Sequence, residues 1–190
     1  MRMKRLVLIG LVLILAAGGA FVTTYSKKVA SETSDSCFTS EEIVDAQQAW
    51  GEAIVSIGKA YTSGEDYQAL AEMVVDQLYG YDEGIVLFKP TKAAREQFRT
   101  TEEAAVSYFV EGIVPEDGGF AIQPWREVRF ENAGMIVNCN SAIAMGNYYF
   151  TDVNGGQEVK VEFTFGYRKD DDGKALINLH HSSLPYEPAD

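Results

Sequence analysis

The chain has 190 residues, with 28 acidic against 16 basic side chains and a formal net charge of −12 at pH 7. Once an N-terminal segment is set aside, this length matches one ordinary domain with a single core. Because the chain is acidic and shows no basic stripe with interleaved aromatic residues, we expect neither a nucleic acid nor another polyanion as its ligand.

The N-terminus has the pattern of a targeting segment. Basic residues precede residues 6–22, which contain no charge. A helix of that length reaches about 25 Å, less than the roughly 30 Å of a bilayer core, which favours a cleaved signal peptide. Lys27 and Lys28 would equally flank a membrane anchor. We therefore predict a signal peptide or membrane anchor over residues 1–22, a flexible tether over residues 23–37, and a domain that is exported, either periplasmic or membrane-anchored.

The two cysteines, Cys37 and Cys139, both lie in the part that would be exported. An oxidising compartment would allow a disulfide that ties the tether to the sheet. Two unpaired thiols are the alternative, because sequence separation does not say whether two Cα atoms come within disulfide range.

Helical patterns dominate the first part of the domain. Thr39 and Glu42 form a capping box, and apolar residues then recur at steps of three and four as far as Tyr61, which predicts a long amphipathic helix. Further elements are expected at 65–78 (a second helix), 85–88 (a short strand before Pro90) and 101–111 (a third helix, opened by a capping box of Thr100 with Glu103, with Ala105, Tyr108 and Phe109 facing inward).

From Trp125 onward the hydrophobic period changes to two, which indicates strands. In the clearest strand, alternate residues from Val159 to Tyr167 are apolar, as expected where one face is buried and the other is wet. Asn154-Gly155 and Asp172-Gly173 supply the residues that tight hairpin turns require. The expected strands are 126–138, 142–151, 158–169 and 175–184, in an antiparallel meander.

Helices followed by a long meander indicate an α+β domain over residues 38–187. Its natural product is a cone-shaped fold in which the N-terminal helices pack in a curved antiparallel sheet around a cavity. An open sheet with helices on one face and no pocket is the alternative.

Both histidines of the chain, His180 and His181, are adjacent in the last expected strand. Strand neighbours point to opposite faces, so the two cannot bind one metal ion without a bulge, and a three-histidine zinc site cannot be assembled. The apolar residues before them place His181 and Ser183 on the inner face, and His180 and Ser182 on the other. A histidine and a hydroxyl that face the interior need hydrogen-bond partners, and such groups are often part of a functional site. The alternative interpretation is purely structural: the histidine would be a hydrogen-bonded residue of the wall, and the serines would mark the end of the strand.

Several stretches resemble the iota-class carbonic anhydrases. The run from Asn178 to Pro185, with His-His-Ser-Ser at its centre, is the most specific. These enzymes use a domain similar to the association domain of calcium/calmodulin-dependent kinase II, within the nuclear-transport-factor-2-like (NTF2-like) superfamily. The likeness covers roughly residues 38–187, and its supporting stretches are Ala49–Gly51, Val86–Thr91, Ser107–Phe109 and Gly146–Phe150.

The resemblance implies reversible hydration of carbon dioxide to bicarbonate, often by a homodimer and in some members without metal. Thr91 and Tyr108 would position the nucleophilic water, Ser183 would hold the bicarbonate oxygens, and His181 would orient the network or relay the proton. No cofactor is assigned, although some members have been described with bound metal. The remaining substrate-binding side chains would be Ser182, His180, Phe163 and Phe165.

Other functions remain open from the sequence. A non-catalytic ligand-binding or oligomerisation module would keep the cone and the dimer without hydrating carbon dioxide. A cone-fold isomerase or cyclase would need a carboxylate base in the pocket, and the inner face of the clearest strand has none. Hydrolase and kinase functions lose support because no Ser-His-acid arrangement and no glycine-rich phosphate loop is recognisable.

Overall fold

The computed structural model describes residues 37–156 and 158–189, so the expected targeting segment and all but the last residue of the expected tether lie outside it. Each expected helix and strand is confirmed to within about two residues at its ends. Within the described part of the chain, no helix is both long and apolar enough to cross a membrane. In chain order the elements are α1 (Ser40–Ser63), α2 (Tyr67–Leu78), β1 (Leu87–Lys89), α3 (Glu102–Val110), β2 (Trp125–Val137), β3 (Ser141–Asp152), β4 (Glu158–Lys169) and β5 (Ala175–Ser183).

Local hydrogen bonds set the helix starts. The expected capping box opens α1: the Glu42 backbone N–H donates to Thr39 Oγ1 at 3.1 Å, and the Thr39 N–H donates to the Glu42 carboxylate at 2.7 Å. The box expected at the start of α3 is wrong by one residue. Thr101, rather than Thr100, is the N-cap, and its hydroxyl accepts from the Ala104 N–H. A reciprocal box needs Glu or Gln three residues after the cap, and Ala104 stands there.

Five strands form one curved sheet in the order β1-β5-β4-β3-β2. The last four make the expected antiparallel meander. The short β1 pairs in parallel with β5, with Leu87 opposite Leu179 and Lys89 opposite His181. This parallel pairing brings the loop that follows β1, which begins at Pro90 and Thr91, beside the end of β5.

The helices pack on the inner face of the sheet around Trp50 of α1, which is 1 % exposed. Its indole lies edge-on to rings from α3 and from all four strands of the meander, with centroids 5.4–6.4 Å apart. Edge-to-face contact suits the charge distribution of aromatic rings, and each pair contributes about 0.5–1.5 kcal/mol beyond the burial of its apolar area. The interior is therefore aromatic and shielded from bulk solvent.

Strand β5 contains a β-bulge. Gly166 of β4 pairs with Leu179, but the next β4 residue, Tyr167, pairs with Ile177, so Asn178 is an extra residue. Gly166 permits this, because a Cβ there would lie 2.9 Å from Leu179 Cβ and 3.0 Å from Asn178 Oδ1. One extra residue inverts the alternation of all later side chains in the strand.

The bulge corrects the expected orientation of the His-His-Ser-Ser run. His180 and Ser182 point inward and are each 2 % exposed, whereas His181 is exposed and Ser183 is half-buried on the outer face. The expectation that His181 and Ser183 face the interior is therefore wrong, because it assumed an uninterrupted strand.

Cys37 and Cys139 form a disulfide, so the alternative of two unpaired thiols is wrong. The bond links the residue before Phe38 to the turn between β2 and β3. Phe38 is buried, with the Lys169 ammonium 4.9 Å from its ring centroid, so the start of the domain is held against the sheet.

Candidate active site

Four hydroxyl side chains converge inside the domain, where β1 and β5 end side by side. They are Thr91, after β1; Tyr108, on α3; Tyr148, on β3; and Ser182, on β5. The Thr91 hydroxyl donates to Ser182 Oγ at 2.9 Å, and the Lys92 backbone N–H points at Tyr108 Oη from 3.5 Å. Thr91 is half-buried and Lys92 is exposed, so this hydroxyl cluster meets solvent at Thr91.

The hydroxyl cluster is uncharged at neutral pH. Burial raises the pKa of Tyr108 and that of Tyr148 well above the ordinary value of 10, and hydrogen bonding with Thr91, and for Tyr148 also with Ser182, only partly opposes the rise. Both phenols therefore keep their protons and can donate hydrogen bonds to a bound molecule.

Tyr108 is held rigidly by the packing of α3. Its expected inward stripe is confirmed, because Ala105 and Phe109 are fully buried and Tyr108 is 5 % exposed. The Tyr108 ring stacks on Phe120 and meets Phe88 edge-on, with centroids 5.4 and 5.8 Å away. Placed in this way, the phenol lies beside the loop that carries Thr91.

The loop between β1 and α3 is clamped by charged groups that the sequence pattern did not reveal. Arg99 and Asp117 form an ion pair with both side chains fully buried. The Ser107 hydroxyl donates to the same aspartate at 2.9 Å. The Glu116 carboxylate accepts backbone N–H groups of the loop at 2.9–3.1 Å, from residues 94, 95 and 96. These contacts hold the loop that begins at Pro90 and Thr91.

His180 lies on the inner face of β5, two residues from Ser182. Its ring stacks on Phe88 at 4.5 Å and contacts Phe165 edge-on at 4.1 Å. Its Nδ1 lies 2.8 Å from the Tyr79 hydroxyl oxygen, while its Nε2 has no hydrogen-bond partner among the described residues. Burial lowers the pKa of His180 well below 6.5, so the ring is neutral in the folded protein.

The structure separates the sequence-derived site residues into two sets. Tyr108, Ser182 and His180 are buried, and the half-buried Thr91 is hydrogen-bonded to Ser182. Phe163 and Phe165 are buried opposite Ser182 and His180 on the neighbouring strand. His181 instead lines an outer groove, and the Ser183 hydroxyl donates to the exposed Glu162 at 3.1 Å. The sequence analysis missed two residues. Tyr148 lies within one of the resembling stretches, and Tyr79 is the hydrogen-bond partner of His180.

No cluster of three or more His, Cys, Asp or Glu side chains that could hold a metal ion occurs in residues 37–156 and 158–189. The two histidines point to opposite faces of β5, which prevents them from sharing one ion.

The helices packed in a curved sheet, with neutral hydroxyl and imidazole groups inside, define an α+β domain with an NTF2-like fold. Residues 41–184 match the model of a family described as metal-independent carbonic anhydrase. A relative of that name from Nostoc sp. (strain PCC 7120) is 47 % identical over 154 residues, which cover 78 % of this chain and 75 % of the relative. The chain therefore belongs to the metal-independent carbonic anhydrase family, which confirms the resemblance seen in the sequence.

Solved structures agree with this assignment. The crystal structure of a cyanobacterial iota-carbonic anhydrase complexed with bicarbonate has a TM-score of 0.77 and 45 % identity, covering 80 % of this chain and 95 % of that one. An NTF2-like superfamily protein from Salmonella enterica serovar Typhimurium has a TM-score of 0.50 and 15 % identity, covering 78 % and 92 %. The second likeness shows the shared fold alone and confirms the expected fold class.

We predict that the domain loses stability as the pH falls below 6.5, because His180 is held neutral. The unfolded chain protonates this histidine near its ordinary pKa of 6.5, whereas burial lowers the pKa in the folded state. The unfolded state then binds more protons, so the free energy of unfolding falls by about 1 kcal/mol between pH 6.5 and 5.5. Urea unfolding of wild type and His180→Asn at both pH values measures this contribution. An equal fall in both proteins would contradict it.

Proposed function

We propose that the hydroxyl cluster and His180 are the active site of a carbonic anhydrase that interconverts carbon dioxide and bicarbonate. The observation that carries the proposal is the hydrogen-bonded set of neutral hydroxyls on the inner face of this family's fold. The relative complexed with bicarbonate supports the substrate class. Its mechanism here requires no metal, in line with the family's description.

The hydration step needs a water oxygen placed against the carbon of carbon dioxide. As the new C–O bond forms, one C=O electron pair moves onto its oxygen, and the attacking water loses a proton. Tyr108 and Tyr148 keep their protons and donate to the oxygens on which negative charge develops. The contribution of the protein is to orient the two reactants and to exclude bulk water.

The proton leaves through the hydrogen-bonded hydroxyls. Ser182 and Thr91 are joined by a 2.9 Å hydrogen bond, and Thr91 is the member that reaches solvent. A hydroxyl both accepts and donates, so once the two hydroxyls rotate to make Ser182 the donor and Thr91 the acceptor, this pair can pass a proton outward without becoming charged for long. Ser182 thus replaces Ser183 in the proposed site, as part of the proton path and not as the holder of the bicarbonate oxygens that the sequence suggested.

Apolar rings would form the slot for carbon dioxide. Phe163 lies directly across the β4–β5 pair from Ser182, and Phe165 lies across from His180. Both phenylalanines are at most 2 % exposed, so they present an unhydrated wall to an uncharged substrate. The rival isomerase function would need a carboxylate base here, and the cluster formed by the described side chains contains hydroxyls and an imidazole only.

Carbon dioxide hydration, followed by stopped-flow pH change with and without exhaustive chelation, tests the function. We expect the purified protein to exceed the buffer rate and to keep its activity after chelation, because the reacting groups are side chains. Activity that is lost on chelation and restored by one metal would overturn the metal-free mechanism. No activity in either condition would favour a non-catalytic module.

Adjacent serines provide a matched pair of variants in the same assay. Ser182→Ala removes a cluster hydroxyl and should lower kcat/KM by about a hundredfold, as expected for a group that transfers the proton of the reaction. Ser183→Ala makes the same chemical change on the outer face and should stay within about twofold of wild type. Circular dichroism confirms that both variants fold. A larger loss of kcat/KM in Ser183→Ala than in Ser182→Ala would show that the site lies on the other face of the sheet.

A homodimer through the outer face of the sheet is also proposed. One continuous row of paired positions crosses all five strands there: Leu87, Leu179, Gly166, Ile143 and Ile136. Leu87 is 61 %, Ile143 43 % and Ile136 65 % exposed, so the row presents an apolar stripe. Such a stripe is typical of an interaction surface, and a second copy would pair it with itself about a two-fold axis.

Light scattering measures the mass in solution. We expect twice the 20.9 kDa of the full chain, less any cleaved segment, and the monomer mass for Leu87→Asp, because a charge would be buried in the apolar contact. Lys160→Asp, on the same face but outside the row, is the control. A monomeric wild type would contradict the proposal.

An exported location is proposed for the domain, with membrane contact only through the N-terminal segment. The Cys37–Cys139 disulfide supports it, because such bonds persist in oxidising compartments and are rare in the cytoplasm. Thiol trapping in intact cells should find both cysteines oxidised. Free thiols in the trapped protein would contradict export.

A further inference from the structure

A hydrogen-bonded chain of three buried side chains runs behind the hydroxyl cluster. Trp50 Nε1 donates to the Tyr79 hydroxyl oxygen at 2.9 Å, and the same oxygen lies 2.8 Å from His180 Nδ1. All three residues are at most 2 % exposed. They come from α1, from the end of α2 and from β5, so the tertiary fold places them together.

The hydrogen-bond donors and acceptors of these three side chains determine which atoms carry the protons. An indole N–H can only donate, so Tyr79 accepts from Trp50. If Tyr79 gives its own proton to His180 Nδ1, every polar atom of the three is satisfied except His180 Nε2. If His180 instead donated from Nδ1, both the Tyr79 proton and the Nε2 lone pair would lack partners. Each buried unpaired group costs free energy, so the first arrangement is favoured.

His180 in this arrangement carries its proton on Nε2. That N–H is a buried donor with no acceptor among the described residues, and the ring shares the inner face of β5 with Ser182. The lone pair is on Nδ1, where Tyr79 occupies it. The ring is therefore set up to donate a hydrogen bond, and it has no free lone pair with which to take a proton from water.

We propose that Tyr79, supported by Trp50, is a positioning residue that fixes His180 as the Nε2–H tautomer, so that His180 donates a hydrogen bond to a substrate oxygen. Its donor role rests on the proposed function; the tautomer does not. His180 is then a hydrogen-bond donor of the active site. The proton of the reaction leaves by the Ser182–Thr91 path instead of through the imidazole.

Nitrogen-15 NMR of the histidine rings tests the tautomer. In wild type we expect His180 Nε2 to be protonated and Nδ1 to be a hydrogen-bonded acceptor. Tyr79→Phe removes the donor to Nδ1, so the His180 spectrum should show a mixture of tautomers. Tyr81→Phe is the matched control: Tyr81 stacks on Tyr79 and donates to the Arg99 carbonyl, and it should leave the His180 tautomer unchanged. A wild-type ring protonated on Nδ1 would overturn the proposal.

Hydration kinetics test the donor role. His180→Gln keeps an N–H donor but cannot relay a proton, so it should have a higher kcat/KM than His180→Ala and gain nothing from added imidazole buffer. Tyr79→Phe should lower kcat/KM about tenfold, which corresponds to the loss of one hydrogen bond to the substrate. If His180→Gln is as inactive as His180→Ala and imidazole restores it, His180 relays protons and the proposal fails. If wild type shows the Nε2–H tautomer without hydrating carbon dioxide, only the proposed function is overturned and positioning by Tyr79 is supported.

Discussion

The packing of Trp50 is the interaction on which the rest of the domain depends. One indole contacts rings from α3 and four strands, and its single N–H is also the first donor of the chain that ends at His180. The same side chain thus fills the centre of the core and begins the polar network behind the site. Apolar packing and hydrogen bonding cannot be varied independently at this position.

An aromatic interior shielded from bulk solvent restricts the chemistry that the site can use. Charged groups are costly in such surroundings unless they are paired. The buried Arg99 is paired with Asp117, and its guanidinium lies 5.9 Å from the centroid of the Tyr108 ring. The groups left to face a substrate are hydroxyls and one imidazole, all neutral. Carbon dioxide is an uncharged substrate, and in the proposed mechanism the charge of the product develops at oxygens to which the two phenols donate.

The sequence predicted the elements well because their signals are local. Capping residues, steps of three and four, and alternation by two depend on neighbours within one segment. Which residues of β5 face the interior was predicted wrongly, because a bulge depends on the partner strand. Asn178 becomes an extra residue only through the register with Gly166 and Tyr167 of β4. The Arg99–Asp117 pair and the contact of Tyr79 with His180 join distant segments, so no periodicity could reveal them.

The residue types of the proposed site occur twice in a row in β5. His180–His181 and Ser182–Ser183 repeat each residue type once, so a shift of the strand by one position would still present a histidine and a serine to the interior. Either register of β5 therefore presents the same two functional groups, an imidazole and a hydroxyl, to the interior. Gly166 and the bulge then select which copy is used, and a strand that lost its bulge would exchange the working pair for its duplicate and keep the same functional groups.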